Sequence, residues 1–431
     1  MTRVLVDIRA NQPTGIARYG ANLLRELAVL ASVGDTPRLT AYVDPVQATV
    51  AREAIGTAPV RLLVAAEPDG FVRRSAELRT LLGSGEFDLY HTTHYTLDRR
   101  CPIPYSYTVH DLTRLRFPEH DYGREQFVRH FGSAQWTALG AELAALSDWD
   151  DGHGGTFRRY FRALNRALAA GASRIVAVSR ATGDDLVRLL GVPAGAIDLV
   201  PCAVRTEIFH RRPPAEVTAA RVRYALPGPY CLYVGLAGPI KRFDWLLARW
   251  LAAAERFPAD ARLVVVGGYA EARPEVVALL RDASAAGSVV FTGRVDDDTL
   301  AALYSGASAL LVASRNEGNH LGPLEALACG CEVVCTDIPP LRETVDGHAH
   351  FYPLTDAARL TRLVDSALRG TLPRLGAGFA VPRWPDSGRA LVDSLRRALT
   401  GHTDGPTGGH DTHAGRADRS GAGPARRTEV R

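Results

Sequence analysis

Lysine is all but missing from this chain. Of 51 basic residues among 431, one is lysine, Lys241, and the others are arginine. A genome rich in arginine codons accounts for the bias. Even so, a compact ammonium and a planar guanidinium are not interchangeable, so position 241 stands out. Long apolar runs are missing too. Arg, Asp or Glu interrupts every run before the ~18–20 residues a membrane helix needs, which excludes a helical span and leaves only peripheral membrane contact open. The start, MTRVLVDIRA, lacks the apolar segment and cleavage site of a secretory signal, so a cytoplasmic protein is expected. A formal charge of +4 is small for this length and argues against a nucleic-acid partner. The six cysteines (Cys101, Cys202, Cys231, Cys329, Cys331, Cys335) have no C-x2-C spacing and no compact framework, so buried free thiols are expected.

What is present is ordinary globular composition, 46% hydrophobic and 23% charged, which excludes a disordered scaffold or a collagen-like polymer. Short apolar runs alternate with helical patterns almost from end to end. Strands are expected at 3–8, 39–43, 88–91, 105–109, 175–178 and 197–200, then at 230–234, 263–266, 289–292, 309–312 and 333–335. A helix is expected at 16–30, and helical periodicity in the gaps is clearest at 156–168 and 181–190. Such alternation implies α/β architecture with parallel sheets covered on both faces. About 100–200 residues per domain gives two doubly wound, Rossmann-like units. They are expected at 1–210 and 230–400, joined by a proline-rich linker at 211–229 and followed by a disordered Gly/Thr/Arg tail at 401–431. An insertion at about 120–158, with a helix near 134–146 and the turn-rich DWDDGHGG, reads equally as a surface hairpin or a flap over a cleft.

In open α/β sheets, ligands bind beyond the carboxyl ends of the strands, where helix N-termini offer backbone amides. After the first strand, Gln12-Pro-Thr-Gly15-Ile-Ala-Arg18 lacks a full G-x-G-x-x-G and its acidic partner, so a dinucleotide fingerprint fails. The strongest constellation is Asn316-Glu317-Gly-Asn319-His320-Leu321-Gly322-Pro323-Leu-Glu325-Ala-Leu-Ala-Cys-Gly330. Pro323 suits a first helical turn and Gly330 a C-terminal cap, so a helix is expected over about 323–329, with Glu325 in its first turn. Amides around 321–324 make an anion site, and the two acids would accept hydrogen bonds from hydroxyls on either side of a diphosphate. The alternative is that Glu325 only complements the helix dipole and Glu317 is a solvated loop acid. Asp296-Asp-Asp298 opens a helix, and N-terminal capping outweighs metal binding there; no metal is implied.

The Glu-x7-Glu spacing, with Leu321 and the Glu-Ala-Leu-Ala-Cys-Gly helix, resembles the donor-binding motif of the retaining family 4 glycosyltransferases of GT-B fold. Other ordered motifs support the resemblance over about residues 1–400. Thr14–Tyr19 is similar to the family's N-terminal phosphate-facing loop, Val109–Leu112 to its active-site histidine motif, and Val176–Arg180 to an interior strand. Phe291–Val295 resembles its base-contacting loop, and Asp337–Glu343 the segment after the donor helix. The resemblance implies transfer of a sugar from a nucleoside diphosphate sugar, UDP or GDP type, to a hydroxyl acceptor, with retention and no cofactor. It places Lys241, reached from Gly235, on the leaving phosphates, where a flexible point charge can follow developing negative charge. Glu317 would orient the transferred sugar, Glu325 the ribose, and His110 would contact the sugar. Gly15, Arg180, Arg242, Val295, Asn319, His320, Leu321 and Gly322 complete the expected donor side. His91 and His94 would line the acceptor side with His110, satisfied core histidines being the equal alternative.

The departures from the family pattern are Asn319-His320 for Phe-Gly, Gly322 for Pro, Ile240 for an arginine, Leu236 for another basic residue, and Cys202-Ala203 for Asn-Gly. They point to an unusual donor sugar and more reliance on Lys241. The Tyr19 loop resembles that of polysaccharide mannosyltransferases, while the altered pocket and arginine-rich composition lean towards specialised, aminoglycoside-like metabolism. A sugar-nucleotide epimerase of the same fold and a non-catalytic nucleotide- or glycan-binding member are the rival readings.

Overall fold

The computed structural model describes residues 2–401 except 11–14, 67–71, 73–75, 95–96, 98, 269–273 and 286. Thr14 and the tail from 402 onward therefore lie outside the described residues. Within them the chain forms two parallel sheets. The first contains β1 (Arg3–Asp7), β2 (Arg38–Val43), β3 (Arg61–Val64), β4 (Leu89–Thr92), β5 (Tyr105–Val109), β6 (Arg174–Ala177) and β7 (Ile197–Leu199). The second contains β8 (Tyr230–Val234), β9 (Arg262–Val266), β10 (Val289–Gly293), β11 (Ala309–Val312), β12 (Val333–Thr336) and β13 (His350–Tyr352). Their orders are β3-β2-β1-β4-β5-β6-β7 and β10-β9-β8-β11-β12-β13. Both are doubly wound. In each, the order reverses between two directly paired strands, β1 with β4 and β8 with β11. The loops after those strands diverge to opposite faces and leave a crevice between them.

The central strands, such as β1, β4, β5, β8 and β11, are buried along nearly their whole length, as parallel strands covered by helices must be. Helix Arg180–Leu190 shows how local chemistry sets the boundaries. The Ser179 hydroxyl accepts from the Thr182 amide at 3.0 Å, and Gly191, at φ 72°, supplies the left-handed stop.

Three boundaries differ from the sequence expectation. The 211–229 stretch is not a bare linker: helix Pro214–Arg223 packs on helix Asp297–Gly306, with Ala220 and Leu226 in the second core. The second unit does not run to 400. Val204 N donates to Pro382 O at 3.0 Å, and helix Trp384–Thr400 then returns to helix Gly15–Ser32. Its buried stripe of Leu391, Val392, Leu395 and Ala398 joins the core of the first half. The insertion is more than a surface hairpin. Helices Arg124–Phe131 and Ser133–Ala145 place Phe127 and Leu139 in the first core beside Phe157, and Asp150 and Asp151 of the turn-rich run pair with Arg159 and Arg162 at 2.5 Å.

Candidate active site

The two loops at the second sheet's crevice meet because β8 and β11 are neighbours. Arg315 N donates to Ile240 O at 2.9 Å, tying the loop after β11 to the one after β8. That contact sets Lys241 beside Glu317, whose carboxylate oxygens accept from Lys241 Nζ at 2.6 and 2.7 Å. Burial opposes ionisation of Glu317, but His320 and the Lys241 ammonium hold its carboxyl below the usual range. The helix that follows spans Leu321–Ala328, so it starts two residues earlier than its proline suggests, and Glu325 lies a full turn inside it. His320 is the reason: its Nδ1 accepts from Gly322 N at 3.1 Å and caps the helix. Nδ1 being an acceptor, Nε2 carries the proton and faces Glu317 Oε1 at 3.4 Å. Burial lowers the His320 pKa to about 4, so the ring is neutral at pH 7.

Glu325 is buried, and Arg18 reaches it from the other half of the molecule, Nη2 to Oε1 at 3.1 Å. The same guanidinium lies 3.3 Å from Asp297. Burial raises the Glu325 pKa to about 7, Arg18 pulling against that shift and Asp297 adding to it.

His110 closes the site from the first half. Its Nε2 donates to Thr93 O at 2.8 Å, and its ring lies edge-on to Tyr19 with centroids 5.0 Å apart. Burial lowers its pKa, so it too is neutral. A Cβ on Gly318 would overlap the His110 carbonyl, so only glycine permits this approach. Asn319 Nδ2 donates to Val178 O at 3.1 Å, and the Leu321 side chain packs on the first half's core.

Lys241, Glu317, His320, Leu321, Gly322 and Glu325 thus gather around one helix start, facing His110 and Arg18. Gly15, exposed, begins the helix that carries Arg18. Gly235, at φ 147°, packs against Gly267, where a Cβ would overlap the Gly235 carbonyl. Val295 is partly buried after β10. His94 lies 6.5 Å from His110, ring to ring.

Other expected contacts are not brought in. His91 is fully enclosed in β4, its Nδ1 2.8 Å from Ser106 Oγ, and burial lowers its pKa to about 4. It is a core histidine and has no face for an acceptor. The backbone amides of Arg180 and Ala181 are taken by the Glu343 carboxylate, at 2.7 and 3.0 Å, while Arg180 itself is exposed. Arg242 turns towards Asp244 at 3.8 Å. Asp296 caps its helix through the Thr299 amide at 2.7 Å. Among the described residues, no cluster of three His, Cys, Asp or Glu side chains is placed to hold a metal, and no helix is long and apolar enough to cross a membrane.

Arg18, Asp297, Asn316, Gly318 and Glu343 lie inside motifs that the sequence offers, but the contacts they make do not follow from it, because each acts on a partner far away in the chain.

Residues 228–369 match the family described as glycosyl transferases group 1, and residues 14–203 the glycosyl transferase 4-like domain. A D-inositol 3-phosphate glycosyltransferase of Xylanimonas cellulosilytica is 31% identical over 301 residues, which cover 61% of this chain and 70% of that protein. O-antigen chain mannosyltransferase B of Escherichia coli is 30% identical over 189 residues, covering 43% of this chain and 48% of that one. The solved structure of Anabaena Alr3699/HepE, in complex with UDP and glucose, is similar with a TM-score of 0.59 at 15% identity. It covers 94% of this chain and 98% of that one, a likeness of fold.

Proposed function

Because the chain belongs to the group 1, family 4-like glycosyltransferases of GT-B fold, we propose that it moves a sugar from a nucleoside diphosphate sugar to an acceptor hydroxyl with retention of configuration. The observation that carries this reading is the Lys241–Glu317 pair at the start of helix Leu321–Ala328, in the β8/β11 crevice. An incoming diphosphate competes with Glu317 for the ammonium. Lys241 then turns to the phosphates, and the freed carboxylate accepts from hydroxyls of the sugar. The dipole of the helix acts on the same charge, although the Gly322 amide is itself taken by His320. Glu325 takes the ribose hydroxyls.

His110, neutral and fixed by Thr93, contacts the sugar through hydrogen bonding rather than charge. The acceptor oxygen bonds to the anomeric carbon as the bond from that carbon to the phosphate oxygen breaks, on the same face. The acceptor's proton passes to the departing phosphate, whose charge Lys241 offsets. The relatives' names, an inositol phosphate glycosyltransferase and an O-antigen chain mannosyltransferase, support a polyhydroxyl acceptor, and the structure similar in fold that holds UDP supports a UDP-type donor, GDP being the alternative for the screen below.

Thermal stabilisation by UDP, GDP and dTDP tests the reading. A diphosphate at ~100 times its dissociation constant adds roughly 2.7 kcal/mol. UDP or GDP should raise the melting midpoint, and Lys241→Ala should lower turnover more than donor affinity. No shift with any of the three would remove the diphosphate site, and normal turnover in Lys241→Ala would make the lysine a bystander.

A further inference from the structure

The loop that carries Glu317 is gripped by the opposite half of the molecule. Asn316, one residue earlier, is 2% exposed. Its Nδ2 donates to Thr113 Oγ1 at 2.8 Å, and its Oδ1 accepts from Arg116 Nη1 at 3.0 Å. Both partners follow β5, in the first half. Arg116 is itself braced by Asp185 at 3.5 Å. Two residues on, Gly318 abuts the His110 carbonyl, and Asn319 reaches Val178 O. Residues 316, 318 and 319 therefore hold the first half, while Glu317 between them turns back to Lys241.

A buried amide with both ends satisfied is stable in one orientation. Stripped of its partners, it must find water or leave a polar group unpaired. If Thr113 and Arg116 withdraw, Asn316 has to rotate towards solvent, and the adjoining Glu317 backbone rotates with it. We infer that Asn316 is a positioning residue, which makes the setting of Glu317 against Lys241 conditional on contact between the two halves. This rests on the reading of Glu317 and Lys241 as donor contacts.

Hydrogen–deuterium exchange on the full chain tests it, comparing wild type, Asn316→Leu and Thr113→Val. The valine variant removes the acceptor oxygen at nearly constant volume, in the half that lacks Glu317. Peptides spanning 314–320 should exchange about tenfold faster in both variants, the scale of one lost hydrogen bond, while β5 and β11 keep wild-type protection as the folding control. Unchanged protection in both would overturn the inference.

With the donor identified by the diphosphate screen, both variants should lose about tenfold in kcat at unchanged donor KM. The double variant should lose no more than Asn316→Leu alone, because that variant already breaks the Thr113 contact together with the one to Arg116. Faster exchange with normal kcat, or additive losses, would overturn the positioning role. If wild type transfers from no donor, the proposed function fails, and the exchange comparison still decides whether the grip exists.

Discussion

Glu325 is an acid whose setting makes its charge depend on pH near neutrality. Burial favours the protonated carboxyl, Asp297 reinforces that, and Arg18 is the counterweight, for a pKa of about 7 against an ordinary 4.5. The folded chain therefore binds this proton more tightly than the unfolded chain does. Its contribution to stability is fully present below 4.5 and is lost as pH rises through about 7. Donor binding runs the other way, since ribose hydroxyls donate best to the ionised carboxylate. Affinity for UDP or GDP, by calorimetry, should rise between pH 6 and 8, and Glu325→Gln should flatten the rise. A wild-type profile unchanged by Glu325→Gln would take this residue out of the site. His320 offers a contrasting case, because its ring caps a helix. His320→Ala should cost about 1 kcal/mol in urea unfolding, as lost caps do, without weakening diphosphate binding. A large loss of affinity would instead put the imidazole on the ligand.

Elements were legible where burial is two-sided. Strands such as 105–109, 230–234 and 309–312 fall where their apolar runs place them. The unpredicted strands β3 and β13 lie at sheet edges. There half-exposed residues such as Arg61 and His350 replace the continuous apolar run that marks a central strand. The Leu321–Ala328 helix was legible from Gly330, but its start was not, because a histidine cap is outside the usual Ser, Thr, Asp and Asn set. The acids, lysine and histidine of the site were readable because strand order puts their loops at a crevice. The contact between the loops after β5 and β11 was not, since it joins residues some 200 positions apart. Gly318→Ala tests that contact, because its Cβ would overlap the His110 carbonyl. Small-angle scattering should show the two halves held further apart, and transfer should fall. An overpacked contact of this kind costs about 1–3 kcal/mol. An unchanged scattering profile with full activity would mean the loops shift freely.

At the scale of the whole molecule, the chain crosses between its halves twice, and the second crossing supports the site. Helix Trp384–Thr400 belongs by sequence to the second half but packs on the first. Its Trp384 ring lies 5.9 Å from Tyr19, which in turn supports His110. Asp198, after β6 and on β7, accepts from Ser394 at 2.8 Å and from Arg397 and Arg174, fastening the far end of the same helix. The first half is therefore not complete in its own stretch of sequence, since it lacks one wall of its core until the chain has passed through the second. Leu395, fully buried in that wall, gives the test. Leu395→Ala should cost about 2–5 kcal/mol in urea unfolding, the range for a leucine emptied from a packed core. The loss should appear in the first sheet, as faster amide exchange in β4 and β6, while β8 and β11 keep their protection. Equal loosening of both sheets would mean that the two halves unfold as one cooperative body. Loosening confined to the second sheet would show that the returning helix is not part of the first core.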